Sequence, residues 1–201
     1  MLTIGNDILN LSDPENSRTF TRKGIEKFFS VEEKKNAEKN LNEYPYQKLW
    51  TLKESIYKCM LKHGFRLGFS PAMINLDFQV DRDMVRSRAN LNQIDYFAYC
   101  YIEDDFVVSL ATNSEMSISR IKSFFVKNEN LDLYTRIADK IIVQNALESG
   151  EIIKTKDNIP IFITDSGSKY LDLSFSNEGK YYYVSYLPEL MDVSDCKYLI
   201  L

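Results

Sequence analysis

The segment Leu49–Lys58, LWTLKESIYK, decides how this chain is read. It has the period of one helix. Leu49, Leu52, Ile56, Cys59 and Met60 gather on a single stripe, the face that packs on a core. Glu54 and Lys58 project from roughly the opposite side, one turn apart. In open solvent such an acid–base pair contributes only about 0.3–0.5 kcal/mol. Trp50 and Leu61 argue against a solvated face, because both stand on the Glu54 side and need an apolar cover. That cover is either the other half of the chain or a ligand. A carboxylate in a partly covered cleft is a candidate metal ligand or base. The helix is expected to run from about Tyr46 to Lys62 and to stop at Gly64.

A second acid comes from the N-terminal segment. Residues 1–9 read as a strand with Leu2, Ile4 and Ile8 on one side and Thr3, Gly5 and Asp7 on the other. Gly5 permits close backbone approach. If Asp7 and Glu54 meet, their oxygens suit a hard cation such as Mg2+, which keeps several waters. Such a cation usually serves a phosphate or pyrophosphate, whose charge Lys58 would help neutralise. Spacing alone does not bring the two acids together.

The remaining chain alternates helical and extended segments. Ser30 followed by Glu33 is a capping-box signature that starts a helix. Strands are expected around Met73–Val80, Tyr96–Ile102 and Phe106–Thr112, the last two joined by a turn at Glu103-Asp104-Asp105. The pattern restarts near Asn113–Ser117. A strand-like piece, Ile118–Val126, precedes the polar stretch Lys127–Asn130 and a helix from about Leu133 to Leu147. Extended segments follow at Glu151–Thr155 and Ile159–Thr164, then a hairpin of Tyr170–Ser176 and Tyr181–Leu187 turning at Asn177-Glu178-Gly179. Each half reads as strand, helical segment, then antiparallel strands. This is an α+β fold, divided at residues 1–115 and 116–201. No Gly/Ser-rich linker separates the halves, so close packing is expected.

Bulk properties narrow the function classes. Hydrophobic residues make up 44% of the 201 and charged residues 27%, ordinary for a soluble globular protein. A net charge of −4 gives no electrostatic case for a nucleic-acid partner. Neither a membrane-spanning run nor a secretory signal is visible. Cys59, Cys100 and Cys196 lack metal-ligand spacing, and reduced thiols in a cytoplasm are the expectation. His63 is the only histidine, which excludes a zinc site built on several. The tyrosines and the arginines Arg82, Arg86 and Arg88 read as strand and surface residues.

Three segments carry a resemblance. Gly5-Asn6-Asp7, the KFFSVEE of Lys27–Glu33, and Trp50-Thr51-Leu52-Lys53-Glu54-Ser55-Ile56-Tyr57-Lys58 are similar to motifs of the 4′-phosphopantetheinyl transferases. There they read G-x-D, F-[FS]-S-x-x-E and W-[ST]-x-K-E-[AS]-x-x-K. The resemblance covers residues 1 to about 112, one family module. In the second half, Arg136 and Lys140, the turn Asn158-Ile159-Pro160 and the hairpin Leu171–Tyr186 resemble features that two-domain, peptide-synthetase-activating members place before the G-x-D half. The implied fold is a pseudo-dimer of two similar modules, each a helix on a small antiparallel sheet, in permuted order. Tandem duplication of one module would give the same order.

The resemblance implies transfer of the phosphopantetheine arm of coenzyme A to a serine of an acyl or peptidyl carrier protein, leaving adenosine 3′,5′-bisphosphate. Asp7 and Glu54 would bind Mg2+; Glu54 would take the serine proton; Lys58 would stabilise the leaving phosphate, with Lys53 close to the phosphates. The nucleotide would lie between the halves, touched by Ser174, Arg136, Lys140 and Lys156, in a cleft that also covers Trp50. A monomer is expected if both halves supply one cleft. This sequence departs from the family at Leu9 and Asn10, where members carry a further acid, and at Phe175, where many carry a phosphate-binding histidine. Those departures support a rival reading, a non-catalytic module that binds coenzyme A or a carrier protein. A plain structural subunit with a surface Glu54–Lys58 pair is a third.

Overall fold

The computed structural model describes residues 1–66, 68–128 and 132–196. Strand β1 (Ile4–Asn10) is followed by helices α1 (Pro14–Thr19), α2 (Arg22–Phe28), α3 (Val31–Asn40) and the long α4 (Pro45–Leu61). The capping box at Ser30 and Glu33 is formed. Strands β2 (Asp77–Asp81), β3 (Met84–Leu91), β4 (Ile94–Glu103) and β5 (Phe106–Thr112) then make an antiparallel meander. β1 closes onto β5, giving the order β1-β5-β4-β3-β2. The stripe Leu49, Leu52, Ile56, Cys59 and Met60 packs α4 against Val85, Ala98, Cys100, Val107 and Ala111 of this sheet. Leu49, Leu52, Ile56 and Cys59 have no solvent exposure, and burial on this scale is the main force holding α4 to the sheet.

The second half holds β6 (Lys122–Lys127), α5 (Leu133–Asn145), β7 (Gly150–Lys154), β8 (Pro160–Thr164), β9 (Lys169–Glu178), β10 (Tyr181–Tyr186) and the short β11 (Met191–Asp192). Its sheet runs β6-β10-β9-β8-β7, with β11 beside β9. Ile137, Ala138 and Ile141 seat α5 on Phe124, Phe162, Leu171, Leu173 and Val184. The molecule is thus an α+β pseudo-dimer, each unit a helix on an antiparallel sheet. Boundaries shift where polar residues intervene. Residues expected to open the strand Ile118–Val126 instead form a 3-10 helix, Glu115–Arg120. Pro71–Met73 is a 3-10 turn, so β2 starts only at Asp77. Of the polar stretch Lys127–Asn130, residues 129 and 130 lie outside the described residues.

The two units meet along the free edge of β1. Ile4 N–H donates to Asp172 Oδ2 at 2.8 Å, Asn6 N–H to Ser174 Oγ at 2.9 Å, and Asn10 N–H to Glu178 Oε1 at 3.4 Å. Alternate side chains of β9 therefore satisfy alternate backbone donors of β1, which would otherwise be an unpaired edge. Lys62, just past α4, joins the same seam: its Nζ is 2.8 Å from Asp172 Oδ1 and 2.7 Å from the Leu173 carbonyl, and both charged side chains are buried. β1 is covered on both faces, by α4 and by the second sheet, where Ile8 packs on Tyr183.

Candidate active site

Gly5 is what lets β1 reach α4. A Cβ there would stand 1.9 Å from the Ser55 carbonyl oxygen and 2.8 Å from the Cys59 nitrogen, so no other residue fits without moving the helix. Two residues on, Asp7 faces the exposed side of the same helix. Lys58 Nζ donates to Asp7 Oδ1 at 2.9 Å and lies 3.8 Å from Glu54 Oε1. The side chains of Asp7, Lys58 and Glu54 are 7%, 24% and 29% exposed, so the trio is neither solvated nor sealed.

Electrostatics at Asp7 are unusual for an ion-paired acid. Burial pushes its carboxyl up to about 7; Lys58 opposes that shift, and the neighbouring charges of Glu54 and Glu178 add to it. The folded protein therefore holds this proton more tightly than the unfolded chain. Stability is accordingly lost as pH rises from the ordinary carboxylate range through about 7. Asp7→Asn is expected to melt above wild type at pH 8 and level with it near pH 4. Parallel melting curves across that range would contradict the assignment.

Lys53 is not brought to this trio. Its ammonium is fully buried and donates to Glu33 Oε2 at 2.8 Å, the Pro71 carbonyl at 3.0 Å and the Phe28 carbonyl at 3.1 Å. Its three donors are engaged by α2, α3 and the Pro71 turn, away from Asp7, Glu54 and Lys58. Burial draws its pKa down, and Glu33 holds it up. Glu33 also accepts from Ser30 N and Leu76 N, so this ion pair ties α3 to α4 and to the segment before β2. Glu33→Ala, which strands the buried ammonium, is expected to cost about 3–5 kcal/mol in urea unfolding, and Lys53→Met clearly less. Equal costs would refute that account.

The other expected contacts are dispersed. Ser174 is buried in the seam, donating from Oγ to Asn6 Oδ1 at 2.9 Å. Arg136 donates to the Lys127 carbonyl at 3.1 Å and Lys140 stands 4.2 Å over the Phe124 ring, both on the β6 side of α5. Lys156 is exposed in the β7–β8 turn, at the opposite edge of that sheet, beside Asp157, which pairs with Arg66 at 2.7 Å. Phe175 packs on Tyr134 of α5, their rings 5.9 Å apart. Trp50 is covered by the chain itself rather than by a cleft: the rings of Phe20, Phe28 and Phe69 lie 6.0, 5.0 and 5.4 Å from it.

Sequence reasoning passed over Asn6, Asn16, Lys62, Asp172 and Glu178, all of which fix the seam beside the trio. Asp172 carried a signal, a charge between Leu171 and Leu173 in an apolar strand. Among the described residues no group of three His, Cys, Asp or Glu gathers closely enough to ligate one metal ion, and no helix is long and apolar enough to cross a membrane.

Over residues 3–111, more than half its length, the sequence matches the 4′-phosphopantetheinyl transferase superfamily. The chain belongs to that superfamily. No individually curated protein matches it. The matched span runs from β1 to β5 and so contains Asp7, Glu54 and Lys58.

Proposed function

We propose that the protein transfers the 4′-phosphopantetheine arm of coenzyme A to a serine hydroxyl of an acyl or peptidyl carrier protein, releasing adenosine 3′,5′-bisphosphate. The observation that carries this reading is that Lys58 brings Asp7 and Glu54 together at partly buried positions, inside the span that matches the superfamily. The serine oxygen forms a bond to the phosphorus bearing the pantetheine arm as the pyrophosphate bridge breaks. Glu54 takes the serine proton, and its partial exposure lets a carrier side chain reach it. Lys58 balances the negative charge that grows on the departing phosphate.

The superfamily implies Mg2+, and the donor set fits it. Asp7 and Glu54 offer only carboxylate oxygens, and the charge of buried Asp7 is incompletely offset by Lys58. Asp7 and Glu54 would hold the ion, with water completing its shell. When bound, Mg2+ neutralises the pyrophosphate. Units 1–115 and 116–201 act as one permuted pseudo-dimer in a cytoplasmic monomer, with the nucleotide along their junction. Lys156 stands next to Asp157, whose pair with Arg66 ties the β7–β8 turn to the segment after α4.

Chromatography of coenzyme A incubated with the protein, Mg2+ and small apo-carrier proteins tests this. The reading predicts adenosine 3′,5′-bisphosphate that appears only when a carrier is present. Coenzyme A that binds but stays intact with every carrier would favour the non-catalytic binding module.

A further inference from the structure

Three lysines are buried among the described residues, and their surroundings differ. Lys53 and Lys62 each reach a carboxylate and at least one backbone carbonyl. Lys48, one turn into α4 and only 8% exposed, has no hydrogen-bond or ion-pair partner for its ammonium among the described residues. It stands near the positive end of a helix whose N-cap, Tyr44, supplies no side-chain acceptor, a poor place for a cation. The Cys100 thiol feels its charge but is no counter-ion, because burial pushes that thiol up to about 12 and keeps it protonated at neutral pH. A buried ammonium without a counter-charge is costly.

The space around Lys48 accounts for that cost. Lys48 lines a recess of about 260 Å³ between the α3–α4 loop, α4 and the β2–β3 turn. Buried Leu41, Lys48 and Val85 form its floor, and exposed Glu43, Arg82 and Asp83 stand at its rim. Arg82, on left-handed backbone with φ 55°, is also without an ion-pair partner among the described residues. Two unpaired cations thus share one recess. The two rim carboxylates pair with neither and oppose a multiply charged ligand, so a monoanion fits best. The apolar floor asks for an alkyl part, and the volume, below the roughly 300–1,000 Å³ of larger ligand sites, for a short one.

We propose that this recess is a second ligand site, taking a small aliphatic carboxylate. Lys48 pairs with its oxygens from the floor, Arg82 meets them from the rim, and Leu41 and Val85 pack on the alkyl part. Lys48 lies six residues before Glu54 on α4, about 9 Å along the helix and on another side of it. The site is separate from Asp7, Glu54 and Lys58 and does not depend on the transferase reading.

Amide NMR titration with sodium butyrate, against sodium chloride at equal ionic strength, tests this in wild type, Lys48→Met and Arg82→Asn. Methionine keeps an unbranched apolar stem, and asparagine tolerates left-handed backbone. Wild type is expected to show saturating shifts centred on Leu41, Lys48 and Arg82. Lys48→Met should weaken binding about 10–100-fold, the worth of a hydrogen bond to a charged group, and Arg82→Asn in part. Lys48→Met should also melt above wild type without butyrate, since the stranded charge is gone. Arg82→Asn, at an exposed turn, decides the case even where the buried substitution fails to fold. No saturating shift in wild type, equal binding by the folded variants, or binding of inorganic phosphate but not butyrate would overturn the proposal.

Discussion

Glu54→Ala is expected to reduce carrier loading by about a thousandfold or more while leaving the fold intact. General base catalysis alone supplies roughly 10²–10⁴ in rate, and Glu54 also shares the proposed cation with Asp7. Stability should not follow activity. The Glu54 side chain is 29% exposed and its ion pair with Lys58 is long, at 3.8 Å, so truncation should cost less than about 0.5 kcal/mol. Removing its charge also relieves Asp7, which works in the opposite direction. Single-turnover loading and urea denaturation on the same preparation separate the two effects. A variant that loses both in proportion would make Glu54 a structural residue.

Gly5→Ala carries the largest expected loss of stability. The new methyl would stand 1.9 Å from a helix carbonyl oxygen, and backbone on both sides leaves no side chain to swing away. Relief requires moving α4 off β1, against the packing of Leu52, Ile56 and Cys59 and the 2.6 Å hydrogen bond from Ser109 Oγ to the Thr51 carbonyl. Overpacking typically costs about 1–3 kcal/mol, and this contact belongs at or above the upper end. The same shift would part Asp7 from Lys58, so cation binding should fall even where the variant stays folded. Guanidinium unfolding and Mn2+ titration of Gly5→Ala measure the two. A stability within about 0.5 kcal/mol of wild type would refute the close approach.

Much of the fold was legible because it follows from period. The α4 stripe, the hairpin turning at Asp104 with φ 52° and the Ser30–Glu33 box each declare themselves within a few residues. β3 did not, because its buried positions are Val85, Ser87 and Ala89 and its outward ones Arg86, Arg88 and Asn90. Small and polar residues in that alternation lack the apolar period of a strand. Asp7, Glu54 and Lys58 were named from the motif, whereas their distances came only with the fold. Lys53 shows the limit of motif reading: Glu54 beside it reaches Lys58, but the partner of Lys53, Glu33, sits on another helix and draws it inward. Glu178 was hidden for a similar reason. In a turn beside Gly179 it reads as solvated, and Asn16, which orients it, is 162 residues away.

If Asp7, Glu54 and Lys58 form a transferase site, intact mass spectrometry will show it on apo-carrier proteins incubated with coenzyme A, Mg2+ and either wild type or Glu54→Ala. A gain of one phosphopantetheine on a carrier with wild type, and none with Glu54→Ala, is the predicted result. A carrier unchanged by wild type despite measurable coenzyme A binding, or loaded equally by Glu54→Ala, would contradict it.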